Sequence, residues 1–166
     1  SEASLEKLVS FYNEVQKNKD TATIYLQSGG GDAWAEEAII DLINTHKIQT
    51  TLIGYGTLAS AAFSIFFRTK CDRKLIGGCM GMFHQSTISL DINDYGNPDN
   101  RESTAKKEFM ITHKKPKTIE LCQDLNFSIK EMADIKANKD VWFQPARMKE
   151  FLITSISQIP EIGYQP

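Results

Sequence analysis

A hydroxyl, an imidazole and a few free backbone amides are the minimum set for acyl-transfer chemistry. This sequence offers each of them where the chain leaves a strand. In Ile53 to Phe67, IGYGTLASAAFSIFF, an apolar strand end and two glycines lead to Ser60, which opens a run of small and apolar residues. A serine at such a strand-to-helix turn stands beside helical N–H groups that lack an intrahelical partner and can face an anion. Ser60 is therefore a candidate nucleophile, provided that a base takes its proton and donors stabilise the oxyanion formed by its attack. His84, in Met82-Phe83-His84-Gln85 at the end of an apolar strand, is the candidate base. Ser28-Gly29-Gly30-Gly31 follows the strand-like Thr23 to Leu26 and precedes a helix, a place from which backbone N–H groups can point into an open site. Taken singly, each feature has a plain structural reading: a helix cap for the serine, a flexible connection for the glycines. Their combination points to chemistry.

The joint pattern resembles the ClpP peptidases and their ClpP-like relatives within the wider ClpP/crotonase superfamily. Their pattern is a strand ending in Ser-Pro-Gly-Gly, a helix, a strand ending in Gly-x-x-x-Ser, another helix and a strand ending in Met-x-His-Gln. This chain has Ser28-Gly29-Gly30-Gly31, Gly56-Thr57-Leu58-Ala59-Ser60-Ala61 and Met82-Phe83-His84-Gln85, in that order and at similar spacings. The resemblance runs from Leu5 to Phe151. It departs at Gly29, where the family usually has proline, at Ser86, where proline often follows His-Gln, and in a longer segment after the histidine.

The resemblance implies an α/β, ClpP/crotonase-like layered fold of repeated strand-turn-helix units. It also implies a serine-type endopeptidase acting on peptides or unfolded proteins. Carried onto this sequence, Ser60 attacks a peptide carbonyl, His84 takes and returns the proton, and the backbone N–H groups of Gly31 and Ala61 form the oxyanion hole. Asp140 is the matching acid, because Asp140-Val141-Trp142-Phe143 followed by Pro145-Ala146-Arg147 resembles the family's acidic residue, aromatic pair and short helix. Asp134, Asp91 and Asp94 compete for that role. No metal or organic cofactor is implied. The family's assembly is a homo-oligomer of stacked rings around a chamber, often fed by an ATP-driven unfoldase. Its N-terminal strand and axial loop have no counterpart before Leu5, so a shortened N-terminus is expected. Two rival readings share the fold: a catalytically idle ClpP-like assembly subunit, which has no chemical need for both Ser60 and His84, and a crotonase-like acyl-CoA enzyme, which needs no serine nucleophile.

The rest of the chain must position these groups. With 166 residues and 41% hydrophobic content, it is expected to form one domain over 1–166 around one core. A net charge of −2 gives no basic footprint for nucleic acid, and Lys114-Lys115-Pro116-Lys117 is expected to be a solvated helix end. Three cysteines, odd in number and without a C-x-x-C pair, suit reduced thiols and a cytoplasmic setting. The longest apolar run, Leu58 to Phe67, is too short to span a bilayer, and the N-terminus lacks a signal pattern, so no membrane segment is expected.

Helical spacing of Leu5, Leu8, Val9, Tyr12 and Val15 predicts a helix over Glu2 to Lys17. Thr21 to Gln27 is the first strand. Asp32 caps a helix that is expected to bury Ala35, Ala38, Ile39, Leu42 and Ile43. Ile48 to Ile53 is a second strand, and Arg73 to Ile76 and Cys79 to Phe83 flank Gly77-Gly78 as two short ones. His46 and His113 are expected to be solvated. Gln85 to Asn100 has loop or hairpin composition, and in the family this region forms the handle that joins two rings. Arg101 to Leu125 is helical with a break near Lys115 at Pro116. Ser128-Ile129-Lys130-Glu131 has the capping-box pattern, and Pro145 suits a first helical position.

Overall fold

A computed structural model describes residues 2–18, 21–87 and 101–156. The element order is α1 (Glu2–Asn18), β1 (Ala22–Ser28), α2 (Ala33–Thr45), β2 (Thr50–Ala59), α3 (Ala61–Arg68), β3 (Asp72–Leu75) and β4 (Met80–Phe83). After the residues outside the description come α4 (Arg101–Phe109), a π-helical turn (Met110–Lys114), α5 (Lys115–Asp124), α6 (Ile129–Lys136), β5 (Val141–Phe143) and α7 (Pro145–Ile156). The expected loop over Gln85 to Asn100, with its ring-joining role, falls largely on residues 88–100, outside the described residues. Among the described residues no helix is long and apolar enough to cross a membrane.

The sheet is organised on β2. Strand β1 pairs with it in parallel on one side. On the other side β3 pairs with Thr51 to Gly54 and β4 with Thr57 to Ala59, both in parallel, so one long strand serves two short ones in succession. Strand β5 then adds antiparallel to β4. The sequence pattern places the end of the second strand at Ile53, but the strand runs on to Ala59. Two glycines make this possible. At Gly54 a Cβ would lie 2.8 Å from Leu58 Cδ1 and 2.9 Å from Leu75 Cδ2, so only a bare backbone fits. At Gly56 the backbone takes φ +58°, and near it the β1–β2 register jumps, Leu26 facing Gly54 while Ser28 faces Leu58. The bulge delivers the strand end to Ser60 instead of stopping it.

Helix α3 is buried from Ala61 to Phe67, as a helix apolar on every side must be. Phe63, fully buried, is the hub of its contacts, with ring centroids 4.7 Å from Phe67, 5.1 Å from Phe83 and 5.5 Å from Phe143. These rings tie α3 to β4 and β5. Gly81 in β4 lies directly beneath Met148 of α7, whose sulfur leaves no room for a Cβ. On the other side of β2, Tyr12 of α1 meets Thr50 Oγ1 at 3.0 Å and stacks on His46 at 4.7 Å. His46 is therefore half-buried in an aromatic stack and not freely solvated.

Helix α2 corrects the expected apolar face. Its buried residues are Ile40 and Ile43 together with Glu36 and Glu37. The carboxylates are matched by cations from two other elements. Arg68, at the end of α3, donates to Glu36 at 3.1 Å and to Glu37 at 2.6 Å, and Lys114 donates to the same residues at 2.6 Å and 3.1 Å. Lys117 adds a bond to Glu37 at 2.8 Å, and His113 Nε2 lies 3.5 Å from Glu37 Oε2. Lys114 is 3% exposed, so the lysine cluster is in part a core element and His113 is one of its partners, against the solvated reading of both. The reason lies in the helix pitch. Pro116 cannot donate a backbone hydrogen bond, and the preceding turn widens: the Lys115 N–H reaches Met110 O, five residues back. The expected break near Lys115 is thus a change of pitch, and it turns Lys114 inward.

Burial alone would raise the Glu37 carboxyl. Hydrogen bonds from Arg68 and Lys117, with the charges of Arg68 and Lys114, outweigh it and hold the group well below its ordinary 4.5. A carboxyl depressed in the folded state contributes stability above its unfolded value and loses it as pH falls towards its folded value. Chemical-denaturant midpoints should therefore fall as the pH drops below about 4.5, and Glu37→Gln should flatten that fall. A variant whose midpoint drops as steeply as that of the parent would assign the slope to other groups.

Candidate active site

The turn between β2 and α3 holds Ser60 at φ 53°, ψ −118°, a left-handed backbone that a non-glycine residue adopts only under constraint. Two contacts impose it. The Ser60 N–H donates to Met82 O at 2.8 Å, tying the turn to the end of β4. Beneath it lies Gly30, φ +108°, where a Cβ would stand 2.7 Å from Ser60 Cβ and 3.0 Å from Ala59 O. Ser60 makes no side-chain cap hydrogen bond to its own helix, so its hydroxyl is free for another partner.

That partner is His84. Strand β4 pairs with the last residues of β2, which carries the histidine just beyond Phe83 to the same end of the sheet as Ser60. Ser60 Oγ lies 2.7 Å from His84 Nε2. His84 Nδ1 in turn lies 3.2 Å from Asp140 Oδ1. With the ring proton on Nδ1, facing the carboxylate, Nε2 is the acceptor and the serine hydroxyl donates. Asp140 reaches this position because Val141 pairs antiparallel with Phe83, so the residue before β5 lies alongside the residue after β4. The histidine side chain is 28% exposed and the aspartate 58%, so the carboxylate lies at the solvent edge.

The competing acids are sorted by the same geometry. Asp134 is bound to Lys139 at 2.9 Å and to Lys130 at 3.6 Å. Asp91 and Asp94 lie outside the described residues. Of the sequence candidates, Ser60, His84 and Asp140 come together in one chain of contacts.

Gly31, in the connection between β1 and α2, lines one cavity with Ser60, and Ala61 directly follows the serine. Ala61 is the first residue of α3, and its N–H belongs to the helix-start groups without an intrahelical acceptor. Gly31 is exposed, and nothing lies within 4 Å of a Cβ built on it. A cavity of about 350 Å³ joins Gly31, Ser60 and His84 to Trp34 and Glu36 of α2, and to Phe109 and Met110 at the α4–π junction. The Trp34 ring stacks on Phe109 at 3.8 Å, and Phe109 on His113 at 5.1 Å. Asp32 is engaged as the α2 cap, accepting from Trp34 N at 2.9 Å and Ala35 N at 3.0 Å. This wall was not visible in the sequence, since Phe109 and Met110 carry no motif. Gly30 was visible only as the middle of three glycines. Among the described residues no group of three or more His, Cys, Asp or Glu is placed to hold a metal ion.

Comparisons with known proteins agree with one another. The family model described as Clp protease matches residues 2–95. Among solved structures, the chain is similar to a ClpP1 mutant from Listeria monocytogenes, with a TM-score of 0.70 and 19% sequence identity, over 92% of this chain and 82% of that one. At that identity the likeness concerns the fold, which is the mixed α/β ClpP fold. No curated protein matches the chain.

Gly30 and Gly29 provide a paired test of the turn. Gly30→Ala places a methyl group against Ser60 Cβ in a strained backbone, whereas Gly29→Ala meets nothing within 4 Å. Fluorophosphonate labelling of Ser60 should drop at least about tenfold in the first, a loss of ~1.4 kcal/mol or more in transition-state stabilisation, and stay near the parent in the second. Equal labelling of both variants would mean that the Gly30 contact does not hold the serine.

Proposed function

The chain belongs to the Clp protease family, and from that premise we propose that it is a serine-type endopeptidase cleaving peptides or unfolded proteins through Ser60, His84 and Asp140. The observation that carries the proposal is the 2.7 Å contact between Ser60 Oγ and His84 Nε2, made by a serine on a strained turn at the mouth of a cavity. As His84 accepts the hydroxyl proton, Ser60 Oγ attacks the peptide carbonyl. Positive charge then develops on the imidazole, and the Asp140 carboxylate at 3.2 Å stabilises it and keeps the Nδ1 tautomer. The carbonyl oxygen becomes an oxyanion, for which the N–H groups of Gly31 and Ala61 are the donors. His84 returns the proton to the leaving amine, and water repeats the sequence on the acyl-enzyme. The steps need no metal or organic cofactor.

A single peptidase domain over 1–166, assembling with further copies around a chamber and served by an ATP-driven unfoldase, completes the proposal. The free thiols Cys71, Cys79 and Cys122 support a reducing, cytoplasmic setting. Burial pushes the Cys122 thiol up to about 12, so it stays protonated and unreactive near neutrality.

Ser60→Ala should abolish both peptide turnover and fluorophosphonate labelling with the fold intact by circular dichroism. Unlabelled parent protein would support an idle subunit, and tight binding of a CoA thioester would support the acyl-CoA reading. Asp140→Asn should reduce turnover by up to ~10⁴-fold, because it disfavours the productive tautomer. Adding it to Ser60→Ala should cost little more, since members of one catalytic unit are not additive. Near-normal turnover of Asp140→Asn would leave a Ser60–His84 dyad and remove the aspartate from the mechanism.

A further inference from the structure

His113 does not line the cavity beside Ser60, yet it stands behind one of the rings that do. Trp34, in the first turn of α2, lines the cavity and is 48% exposed, although one face of its indole is covered by Phe109, with centroids 3.8 Å apart and planes 16° from parallel. Phe109 in turn lies on the His113 imidazole at 5.1 Å and 24°. Phe109 and His113 are four residues apart, so they share a helix face across the junction of α4 and the π turn. His113 Nε2 lies 3.5 Å from Glu37 Oε2, and that oxygen is itself fixed by Arg68 Nη2 at 2.9 Å and Lys117 Nζ at 2.8 Å. The wide turn that buries Lys114 thus leaves the residue before it between Glu37 and the Phe109 ring. Three rings run in series from the buried ion cluster to the cavity.

We propose that His113 is a positioning residue for substrate binding: through Phe109 it holds the Trp34 ring as a fixed wall against which the substrate packs. The inference rests on the peptidase reading for the nature of the ligand. A tryptophan ring free to change rotamer must be ordered when a ligand settles on it, and ordering side chains at an interface subtracts from affinity. A ring held in a stack is ordered on folding, so the loss is not repeated at binding. The imidazole does this as a ring and not as a charge. Its contact with Glu37, at 3.5 Å from a side chain 42% exposed, is a weak link, whereas its face covers Phe109. Substrate and transition state meet the same wall, so the effect falls on KM and not on kcat.

The sequence holds two tryptophans, Trp34 and Trp142, so full-length protein carrying Ser60→Ala and Trp142→Phe reports the fluorescence of Trp34 alone. In that background His113→Ala and His113→Gln should red-shift the emission and raise its quenching by acrylamide. Both should weaken binding of the peptide acetyl-Ala-Ala-Phe amide, titrated by the same fluorescence, about fivefold, the weight of one aromatic pair. His113→Phe, which keeps a ring and loses the Glu37 contact, should restore the parent values of all three. With Ser60 present, the same substitutions should raise KM for the aminocoumarin amide of that peptide by the same factor and leave kcat unchanged. Unmoved emission and quenching in His113→Ala and His113→Gln, a His113→Phe protein no better than His113→Gln, no binding of the peptide, or a fall in kcat with KM unmoved would each overturn the assignment. Should His113→Ala not fold, the comparison of His113→Gln with His113→Phe decides alone. Fluorescence and binding are read without turnover, so a parent protein that resists fluorophosphonate ends the hydrolytic proposal and leaves the role of His113 to be judged by the titration.

Discussion

The whole site depends on a backbone conformation that Ser60 does not favour. At φ 53°, ψ −118° an L-residue is strained, and a cost of ~1–3 kcal/mol has to be offset by the surroundings. The offset is spread over three elements. The α3 helix that follows is buried from its first residue and cannot shift without opening the aromatic cluster around Phe63. The Ser60 N–H is fixed to Met82 O, and Gly30 fills the space below. The same Met82 lies two residues before His84. One contact therefore sets both the orientation of the hydroxyl and its distance to the His84 ring.

The imidazole and the carboxylate owe their meeting to sheet pairing instead of local turns. Strands β2 and β4 run parallel, so both end at the same edge, and β5 runs the other way, so that its beginning lies there too. Three residues far apart in the chain, Ser60, His84 and Asp140, consequently converge from two strand ends and one strand start. A one-residue slip of β5 against β4 would move Asp140 along the strand and turn its neighbours to the opposite face. Phe143, buried against Phe63 and Phe151, resists such a slip.

A different principle holds the cavity wall opposite Ser60. Buried charges are poor sources of stability, because desolvation consumes much of the attraction, but removing one partner leaves an unmatched charge in the interior at a cost of ~3–5 kcal/mol. The cluster of Glu36, Glu37, Arg68 and Lys114 therefore fixes geometry more than it adds stability. It joins α2, the end of α3 and the π turn. The elements so joined carry Trp34, Phe109 and Met110, and the width of the cavity depends on their mutual placement. A buried Arg73, without a carboxylate partner among the described residues, plays a simpler part: it donates to Phe67 O at 2.6 Å at the end of α3 and to Ser155 O at 3.4 Å near the end of α7, where helix carbonyls lack intrahelical donors.

Local chemistry is what a sequence records directly, and here it recorded the candidate nucleophile, the candidate base and most of the scaffold. Ser60 at a glycine-flanked turn, His84 after an apolar strand, the Asp32 cap, the Ser128 capping box and Pro145 at a helix start are all decided by neighbours a few residues away, and all appear where the pattern puts them. Asp140 needed the family resemblance, because nothing local separates it from Asp134; only the β4–β5 register does. Gly30 could not be told from Gly29 and Gly31 until the Ser60 turn was laid against it. Lys114 belongs to a run that its sequence marks as a solvated helix end, and Glu36 and Glu37 are not among the apolar residues expected on the buried side of α2. Their burial depends on cations and carboxylates that come from elements distant in the chain and meet only when α2, α3 and the π turn pack together. Sequence periodicity cannot register that pairing, since the free energy of a buried charge is set by its partners in space and not by its position along the helix.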